Sequence, residues 1–189
     1  MAVLFRDVEF RYKQDSVVSG LNFHFKKNFV TCIYGKNGSG KSTIVKMIGG
    51  IEKPYSGDII FSDKLLKFGF MLQFPEHLFY NSTVYEEVIS ITKSRDLADN
   101  VFTDESLRKL KELSPFVVSD GQKRLIFIKS LISVSDVLVL DEPFASLDGK
   151  NKDEITRDIL RCLKMGKTVV YTANRIADCG IASEILRLK

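Results

Sequence analysis

The sequence predicts an α/β fold with a mainly parallel core sheet, an N-terminal antiparallel β subdomain and a small helical subdomain. Short strand-like runs dominate the first third of the chain, and strands alternate with helices in the last third. The later strands, at residues 137–140 and 168–172, are apolar throughout, which is typical of parallel strands covered on both faces. A length of 189 residues fits one domain.

Strand-like runs in the first part of the chain are each bounded by Gly, Asn or charged residues. The runs are VLFRDVEFRY, LNFHF, FVTCIY, GDIIF and FMLQF, at residues 3–12, 21–25, 29–34, 57–61 and 70–74. The N-terminal runs are assigned to the antiparallel subdomain.

Charged and apolar residues mix at helical spacing from Ser82 to about Leu113, and Pro115 interrupts this helical region. We expect Ser82 to cap the first helix, with Glu86 near its first turn. The remaining predicted elements are a helix at about 120–133, a strand at 137–140, a helix at about 150–164, and strands at 168–172 and 184–188.

Composition and charge argue against several classes of protein. No apolar run approaches the roughly 20 residues that span a bilayer. The first ten residues include charged side chains where a signal peptide would be apolar, so we expect no direct membrane insertion. The net charge of +4 comes from interleaved basic and acidic residues, which favours a mixed solvated surface over nucleic-acid binding. Cys32, Cys162 and Cys179 lack metal-ligand spacing and are predicted to be reduced, packed thiols.

A glycine-rich loop between a predicted strand and a predicted helix fits the P-loop pattern G-x-x-x-x-G-K-[ST]. Its glycines allow backbone N–H groups and the positive end of the following helix to point at a phosphate. Lys41 is expected to contact the β- and γ-phosphates, and the Ser42 hydroxyl to ligate Mg²⁺. The predicted nucleotide-binding residues of this loop are Gly35, Lys36, Asn37, Gly38, Ser39, Gly40, Lys41, Ser42 and Thr43.

The stretch VLVLDEP delivers two adjacent carboxylates at the end of a buried strand. Successive side chains of an extended strand point in opposite directions, so Asp141 and Glu142 cannot share one role in that geometry. One is expected to approach Mg²⁺ through water and the other to reach the attacking water at the γ-phosphate. The P-loop alone does not distinguish among kinases, GTPases and motor ATPases.

Residues 118–148 resemble the signature helix, Walker B strand and D-loop of the ABC ATPase family, downstream of the P-loop as in that family. The resemblance implies that ATP and Mg²⁺ are bound, that Tyr12 stacks on adenine, and that Gln73 ligates Mg²⁺ and couples the site to a transmembrane partner. Asp141 is assigned to Mg²⁺ and Glu142 to catalysis. ABC domains work as head-to-tail pairs, so the signature and D-loop residues are expected to act in trans on the partner's ATP: Ser119, Gly121, Gln122 and Asp148.

Two positions depart from the family pattern. Asp120 replaces a glycine of the usual Leu-Ser-Gly-Gly-Gln signature, and Ala173 stands where the family has a histidine that contacts the γ-phosphate. Loss of one preorganised donor costs on the order of a hundredfold in rate. His24 and His77 align with other elements, so neither is expected to replace that histidine. We therefore expect a heterodimer in which this chain's own site is slow and the partner's site supplies most turnover.

Residues 73–88, QFPEHLFYNSTVYEEV, are similar to the Q-loop region of energy-coupling factor importers and related cobalt or biotin uptake ATPases. This resemblance implies an ATPase subunit of a vitamin or metal-ion importer, bound to a transmembrane coupling subunit on the cytoplasmic face of the cell membrane. Two alternatives stay open. One is a non-transport ABC protein, and the other is a regulatory module that uses ATP as a clamp, which Ala173 and Asp120 favour.

The resemblance covers essentially the whole chain and implies one ABC ATPase domain over residues 1–189. Residues of about 1–72 and 134–189 are assigned to the core with its N-terminal β subdomain. Residues of about 73–133 are assigned to the Q-loop, a short helical subdomain and the signature helix. We also expect the domain to lack the C-terminal extension that many importer ATPases carry.

Overall fold

The structure, a computed structural model, describes residues 2–63, 65–73 and 75–188. Its strands are β1 (Val3–Tyr12), β2 (Asp15–Phe25), β3 (Val30–Tyr34), β4 (Ser56–Phe61), β5 (Phe68–Met71), β6 (Val137–Leu140), β7 (Thr168–Ala173) and β8 (Glu184–Arg187). Its helices are α1 (Lys41–Ile48), α2 (Val84–Thr92), α3 (Arg95–Val101), α4 (Glu105–Arg108), α5 (Asp120–Val134) and α6 (Gly149–Lys164). Short 3-10 turns occur at Pro75–Leu78, Pro115–Val117 and Ile176–Cys179.

The core sheet has the strand order β5-β6-β7-β3-β8, and each neighbouring pair is parallel. Every residue of β6 and β7 is buried, as expected for strands that helices cover on both faces. Because β7 lies between β3 and β6, the carboxyl ends of these three strands meet at one edge of the sheet. Ligands of open α/β sheets bind at this edge. The predicted fold class is confirmed.

The N-terminal strands form a separate antiparallel sheet in the order β2-β1-β4. The buried side chains of β1, such as Phe5 and Val8, pack in one apolar cluster with Ile44 and Val45 of α1. The strand predicted at residues 21–25 is longer in the structure, because β2 starts at Asp15. Its polar first residues still pair with β1, since ladder hydrogen bonds require only the backbone.

The helical region predicted from residue 82 to about 113 is divided into α2, α3 and α4. Lys93 adopts a left-handed conformation with φ of 56° and ends α2. Ser94 then caps α3, and Asp104 caps α4, each by accepting a backbone N–H with its side chain. Polar residues that favour caps therefore interrupt a pattern that has helical spacing throughout.

The first cap of this region lies one residue later than predicted. Thr83, not Ser82, caps α2: its hydroxyl accepts from the Glu86 backbone N–H, and the Glu86 carboxylate accepts from the Thr83 N–H, both at 3.2 Å. This reciprocal capping box requires a spacing of three residues, which Thr83 and Glu86 have. A further shift concerns β5, which covers Phe68–Met71 rather than residues 70–74. Phe74, the last residue of that predicted strand, lies outside the described residues.

The three cysteines lie buried as free thiols, as the sequence predicts. Desolvation raises the pKa of Cys162 to about 11 and also raises the pKa of Cys32, whose Sγ lies 3.3 Å from Cys179 Sγ. Burial therefore disfavours the thiolate form of both thiols. Within the described ranges, no helix is long and apolar enough to cross a membrane.

Candidate active site

The P-loop connects β3 to α1 at the edge of the core sheet. Gly40, the residue before α1, has a left-handed φ of 93°, and a Cβ there would lie 3.1 Å from Val17 Cγ1. The left-handed backbone conformation therefore favours glycine, and a side chain there would also be in tight contact with Val17. The N-terminus of α1 opens on a cleft of about 450 Å³. The cleft is lined by Tyr12, Val17, Asn37, Gly38, Gly40, Lys41, Ser42, Thr43, Gln73 and Glu142.

The Lys41 side chain is buried and folds back over the P-loop. Its ammonium donates to the carbonyl oxygens of Gly35 and Lys36, both at 2.9 Å. These two residues and Ser39 are predicted ATP-binding residues that do not line the cleft. Gly35 and Lys36 hold the ammonium through their carbonyls, and a lysine held in this loop suits the binding of a phosphate.

Tyr12 ends β1 beside the same cleft, and 43% of the residue is exposed. Its hydroxyl donates to Glu52 Oε1 at 3.4 Å, and its ring lies edge-to-face with Phe10 at 4.8 Å between centroids. The ring is thus oriented from both ends while part of it faces solvent. An aromatic ring held in this way suits stacking on a planar base.

The two carboxylates after β6 do not continue the extended geometry of the strand. β6 ends at Leu140, and Glu142 has a left-handed φ of 48°. Asp141 and Glu142 therefore do not alternate as successive side chains of an extended strand do. The turn instead brings Glu142 into the phosphate cleft, while Asp141 stays buried with its N–H donating to the Met71 carbonyl at 2.8 Å.

Thr172 holds this turn, a role that the sequence analysis did not assign. Its hydroxyl donates to Asp141 Oδ1 at 2.6 Å and accepts the Glu142 N–H at 2.8 Å. One buried hydroxyl therefore orients the Asp141 carboxylate and stabilises the left-handed residue. The sign of this role in the sequence is a threonine at the end of an apolar strand. That sign is weak, because threonine is common in strands for other reasons.

The described residues offer an oxygen set that fits Mg²⁺. Ser42 and Gln73 line the phosphate cleft, and Asp141 lies beside Glu142 with one carboxylate oxygen bonded to Thr172. Hydroxyl, amide and carboxylate oxygens, completed by phosphate and water, are what this hard cation prefers. Bound Mg²⁺ would neutralise charge on the phosphates; Lys41 and the α1 N-terminus could hold those phosphates, and Glu142 could accept a proton from water.

A second cleft of about 350 Å³ shares Gln73 and Glu142 with the first. It also contains His77, which belongs to the 3-10 turn after the Q-loop. His77 belongs to another element than β7, as expected, and it shares this cleft with Glu142. The complete lining is Gln73, His77, Asp120, Gly121, Arg124, Asp141, Glu142, Ala145, Ser146 and Leu147.

The predicted trans-acting signature residues form the N-terminus of α5. Ser119 caps the helix in a reciprocal capping box with Gln122, with hydrogen bonds of 3.3 and 3.2 Å. Asp120 is exposed and forms an ion pair with Lys123 at 3.3 Å. A Cβ on Gly121 would lie 2.8 Å from Asn151 Nδ2, so glycine permits close packing of α5 against α6. The trans role of these residues stays a prediction.

The predicted D-loop aspartate caps the neighbouring helix. Asp148 Oδ1 accepts from the Asn151 N–H at 2.8 Å, and Asp148 Oδ2 accepts from Asn151 Nδ2 at 3.1 Å. Asn151 also faces Gly121, so the N-termini of α5 and α6 lie side by side. The positive ends of the two helices therefore share one part of the surface.

Comparison with known proteins identifies related sequences and structures. The family model described as "ABC transporter" matches residues 18–145. Energy-coupling factor transporter ATP-binding protein EcfA1 of Fusobacterium nucleatum is 29% identical, covering 96% of this chain and 76% of the relative. EcfA3 of Oenococcus oeni is 31% identical, covering 94% and 72%. CbiO1 of Clostridium perfringens, part of the ABC transporter complex cbiONQ, superposes with a TM-score of 0.87 at 26% identity, covering 100% and 84%.

Replacing Thr172 by valine tests the hydrogen bonds that hold the carboxylate turn. Valine keeps the shape but leaves the Glu142 N–H and the buried Asp141 oxygen without this partner, so we expect a stability loss of about 1–3 kcal/mol. ATP turnover should fall as well. Thr172→Ser retains the hydroxyl and serves as the matched control. Denaturant unfolding and turnover that are equal in the two variants would contradict the assignment.

Replacing Asp148 separates its capping role from a charge-dependent role in trans. Alanine removes the α6 cap and should lower the free energy of unfolding by about 1 kcal/mol, whereas asparagine caps as well as aspartate. Asp148→Asn should therefore keep the stability measured in urea while lowering turnover, if the carboxylate acts on the partner's site. Equal destabilisation by both substitutions would show that the cap requires the charge.

Proposed function

Because this chain belongs to the ABC transporter family and is an ABC ATPase domain, we propose that it powers an energy-coupling-factor-type importer of a vitamin or metal ion. The named relatives support the energy-coupling factor type, and the resemblance of the Q-loop region at residues 73–88 supports the substrate class. We further propose that the subunit binds peripherally to the cytoplasmic face of the membrane. The observation that carries the proposal is an ATP cleft lined by the P-loop residues, Gln73 and Glu142 together.

We propose that the ATP site on this chain's own P-loop hydrolyses ATP slowly because of Ala173. This residue ends β7, which lies between β3, the strand before the P-loop, and β6, the strand before Glu142. The Ala173 carbonyl accepts from the Gly35 N–H at 3.3 Å, so the backbone at this position adjoins the P-loop. Its methyl group cannot donate to the γ-phosphate. Retention of Glu142 in the cleft supports slow hydrolysis over complete inactivity.

An exposed apolar surface supports docking to a membrane subunit. Leu78, Tyr80, Phe116 and Val117 are each more than half exposed. The 3-10 turn that contains Leu78 packs against α5, and Phe116 and Val117 directly precede that helix. Exposed large apolar side chains are candidates for burial by a binding partner. We propose that a cytoplasmic segment of the transmembrane coupling subunit covers them.

Two features favour a second candidate, a regulatory module that uses ATP as a clamp. Ala173 weakens the own site, and the Asp120 carboxylate lies at the helix end that is proposed to meet the partner's phosphates. A clamp would bind ATP with little turnover in either site. The two functions differ in whether turnover appears once the partner is present.

Two substitutions in the ATP cleft distinguish binding from catalysis. Lys41→Ala removes a charge that acts on the bound ground state, so ATP affinity should fall. Glu142→Gln should lower hydrolysis while affinity stays nearly intact, because that carboxylate serves the attacking water. Equilibrium ATP titration and steady-state turnover measure the two effects. A large loss of affinity in Glu142→Gln would contradict its assignment as the catalytic base.

Pull-down of the tagged chain from detergent-solubilised membranes, followed by mass spectrometry, tests the proposed role as an importer subunit. We expect a membrane protein together with a second ABC ATPase that has histidine where this chain has Ala173. As a control, replacing Phe116 and Val117 by serine should reduce capture of the membrane protein and not of the second ATPase. Recovery of soluble or nucleic-acid-bound partners alone would reject the importer.

A further inference from the structure

We propose that Cys32 and Cys179 form an oxidant-sensitive dithiol, which hydrogen peroxide converts into a disulfide between β3 and the 3-10 turn Ile176–Cys179. The Sγ atoms of the two residues lie 3.3 Å apart. A disulfide bond is about 2.05 Å long, so the two sulfur atoms need to approach each other by only about 1.2 Å. Neither residue lines the ATP cleft, so this chemistry is separate from hydrolysis.

The two cysteines differ in how close they lie to solvent. Cys32 belongs to β3, which lies between β7 and β8 in the core sheet, and it is fully buried. Cys179 ends a turn at the surface: 4% of this residue is exposed, and residues 174–177 before it and Gly180 after it are exposed. Local opening of one short turn therefore brings peroxide to Cys179, whereas Cys32 stays within the sheet.

Contacts of Asp178 hold the turn against the sheet. The Tyr171 hydroxyl, from β7, donates to the Asp178 carbonyl at 2.8 Å. The Asp178 carboxylate forms an ion pair with Lys152 of α6. These two contacts keep the neighbouring Cys179 beside β3 while the turn is closed. They are also the contacts that local opening has to break, so the ion pair controls access to Cys179.

Both thiols already have partners, and oxidation replaces these contacts by a covalent bond. The Cys32 thiol donates to Cys179 Sγ, which is the contact that becomes the S–S bond. The Cys179 thiol faces the Arg175 carbonyl at 3.8 Å, and the Tyr171 hydroxyl neighbours the Cys32 thiol. A thiol is a weak donor, so a covalent bond easily offsets the loss of these contacts.

The reaction has two steps in which atoms and electrons balance. Hydrogen peroxide oxidises the Cys179 thiol to a sulfenic acid and is itself reduced, releasing one water. The Cys32 sulfur then bonds to Cys179 Sγ, the S–O bond breaks, and the hydroxyl leaves with the Cys32 proton as a second water. Desolvation raises the pKa of Cys32 and disfavours its thiolate, so this thiol depends on the proximity of its partner to react.

The disulfide links positions that are 147 residues apart in sequence. A cross-link over such a distance restricts the unfolded chain and so stabilises the folded one. It also ties the segment that follows Ala173 to β3, the strand that leads into the P-loop. A disulfide is reversible by thiols and protects both sulfur atoms from the irreversible sulfinic and sulfonic states.

Hydrogen peroxide treatment of the purified chain, at an exposure that fully oxidises free cysteine, tests the proposal. The remaining thiols are alkylated in denaturant, and the peptides are mapped by mass spectrometry. We expect an intramolecular disulfide between Cys32 and Cys179 that dithiothreitol removes. Cys162 is the internal control, because it is also buried with a raised pKa but lies in α6, and it should remain a thiol.

Variants test the order of the steps and the route of access. Cys32→Ser should accumulate a sulfenic acid at Cys179, which dimedone traps. Lys152→Ala removes the ion pair that holds the turn, so the wild-type disulfide should form at least about twofold faster in this variant. Oxidation should raise the thermal unfolding midpoint of the wild type and of Cys162→Ser by about 5 °C or more, and should not raise that of Cys32→Ser or Cys179→Ser.

Several results would overturn the proposal. One is that all three thiols are alkylated alike after the exposure. Another is that Cys32 and Cys179 are recovered as sulfinic acids or in disulfides between chains. A fall in the unfolding midpoint on oxidation would show that the bond does not fit the native fold. Dimedone labelling of Cys32 in Cys179→Ser, or an unchanged rate in Lys152→Ala, would contradict access through the turn.

Discussion

The two hydrogen bonds of the Thr172 hydroxyl join the end of β7 to the end of β6, and the arrangement of the ATP cleft depends on them. β7 is the central strand of the core sheet, and its last carbonyl also accepts the N–H of Gly35 at the start of the P-loop. The P-loop and the two carboxylates are therefore both fixed to one strand end. A parallel sheet makes this possible because its carboxyl ends lie at one edge.

Helix N-termini supply the second part of the arrangement. α1 directs its first turn into this chain's own cleft, whereas α5 and α6 present theirs side by side on the surface. Capping by Ser119 and Asp148 satisfies some N–H groups and keeps both helix ends in place. The same local chemistry thus serves stability in this chain and, as we propose, anion binding in the site shared with a partner.

Much of the fold and part of the site could be predicted from sequence, for physical reasons that differ by element. β6, β7, α5 and α6 have strong apolar patterns and fall close to their predicted bounds. The polar start of β2 gave no such signal, since its pairing uses the backbone. The left-handed turn at Glu142 and its support by Thr172 depend on contacts 30 residues apart in sequence. That His77 and Glu142 line one cleft could not be predicted for the same reason, because the two residues lie far apart in sequence.

The two departures from the family pattern also bear on the choice between a homodimer and a heterodimer. In a head-to-tail homodimer, each composite site would combine Ala173 of one chain with Asp120 of the other, so both weaknesses would fall in every site. In a heterodimer, Ala173 would weaken the site on this chain's P-loop, while Asp120 would act on the site on the partner's P-loop. There its charge is partly compensated by Lys123, at 3.3 Å on the same helix. Separating the two weaknesses leaves one site with its histidine, which is the physical reason that we favour a pair of unlike chains.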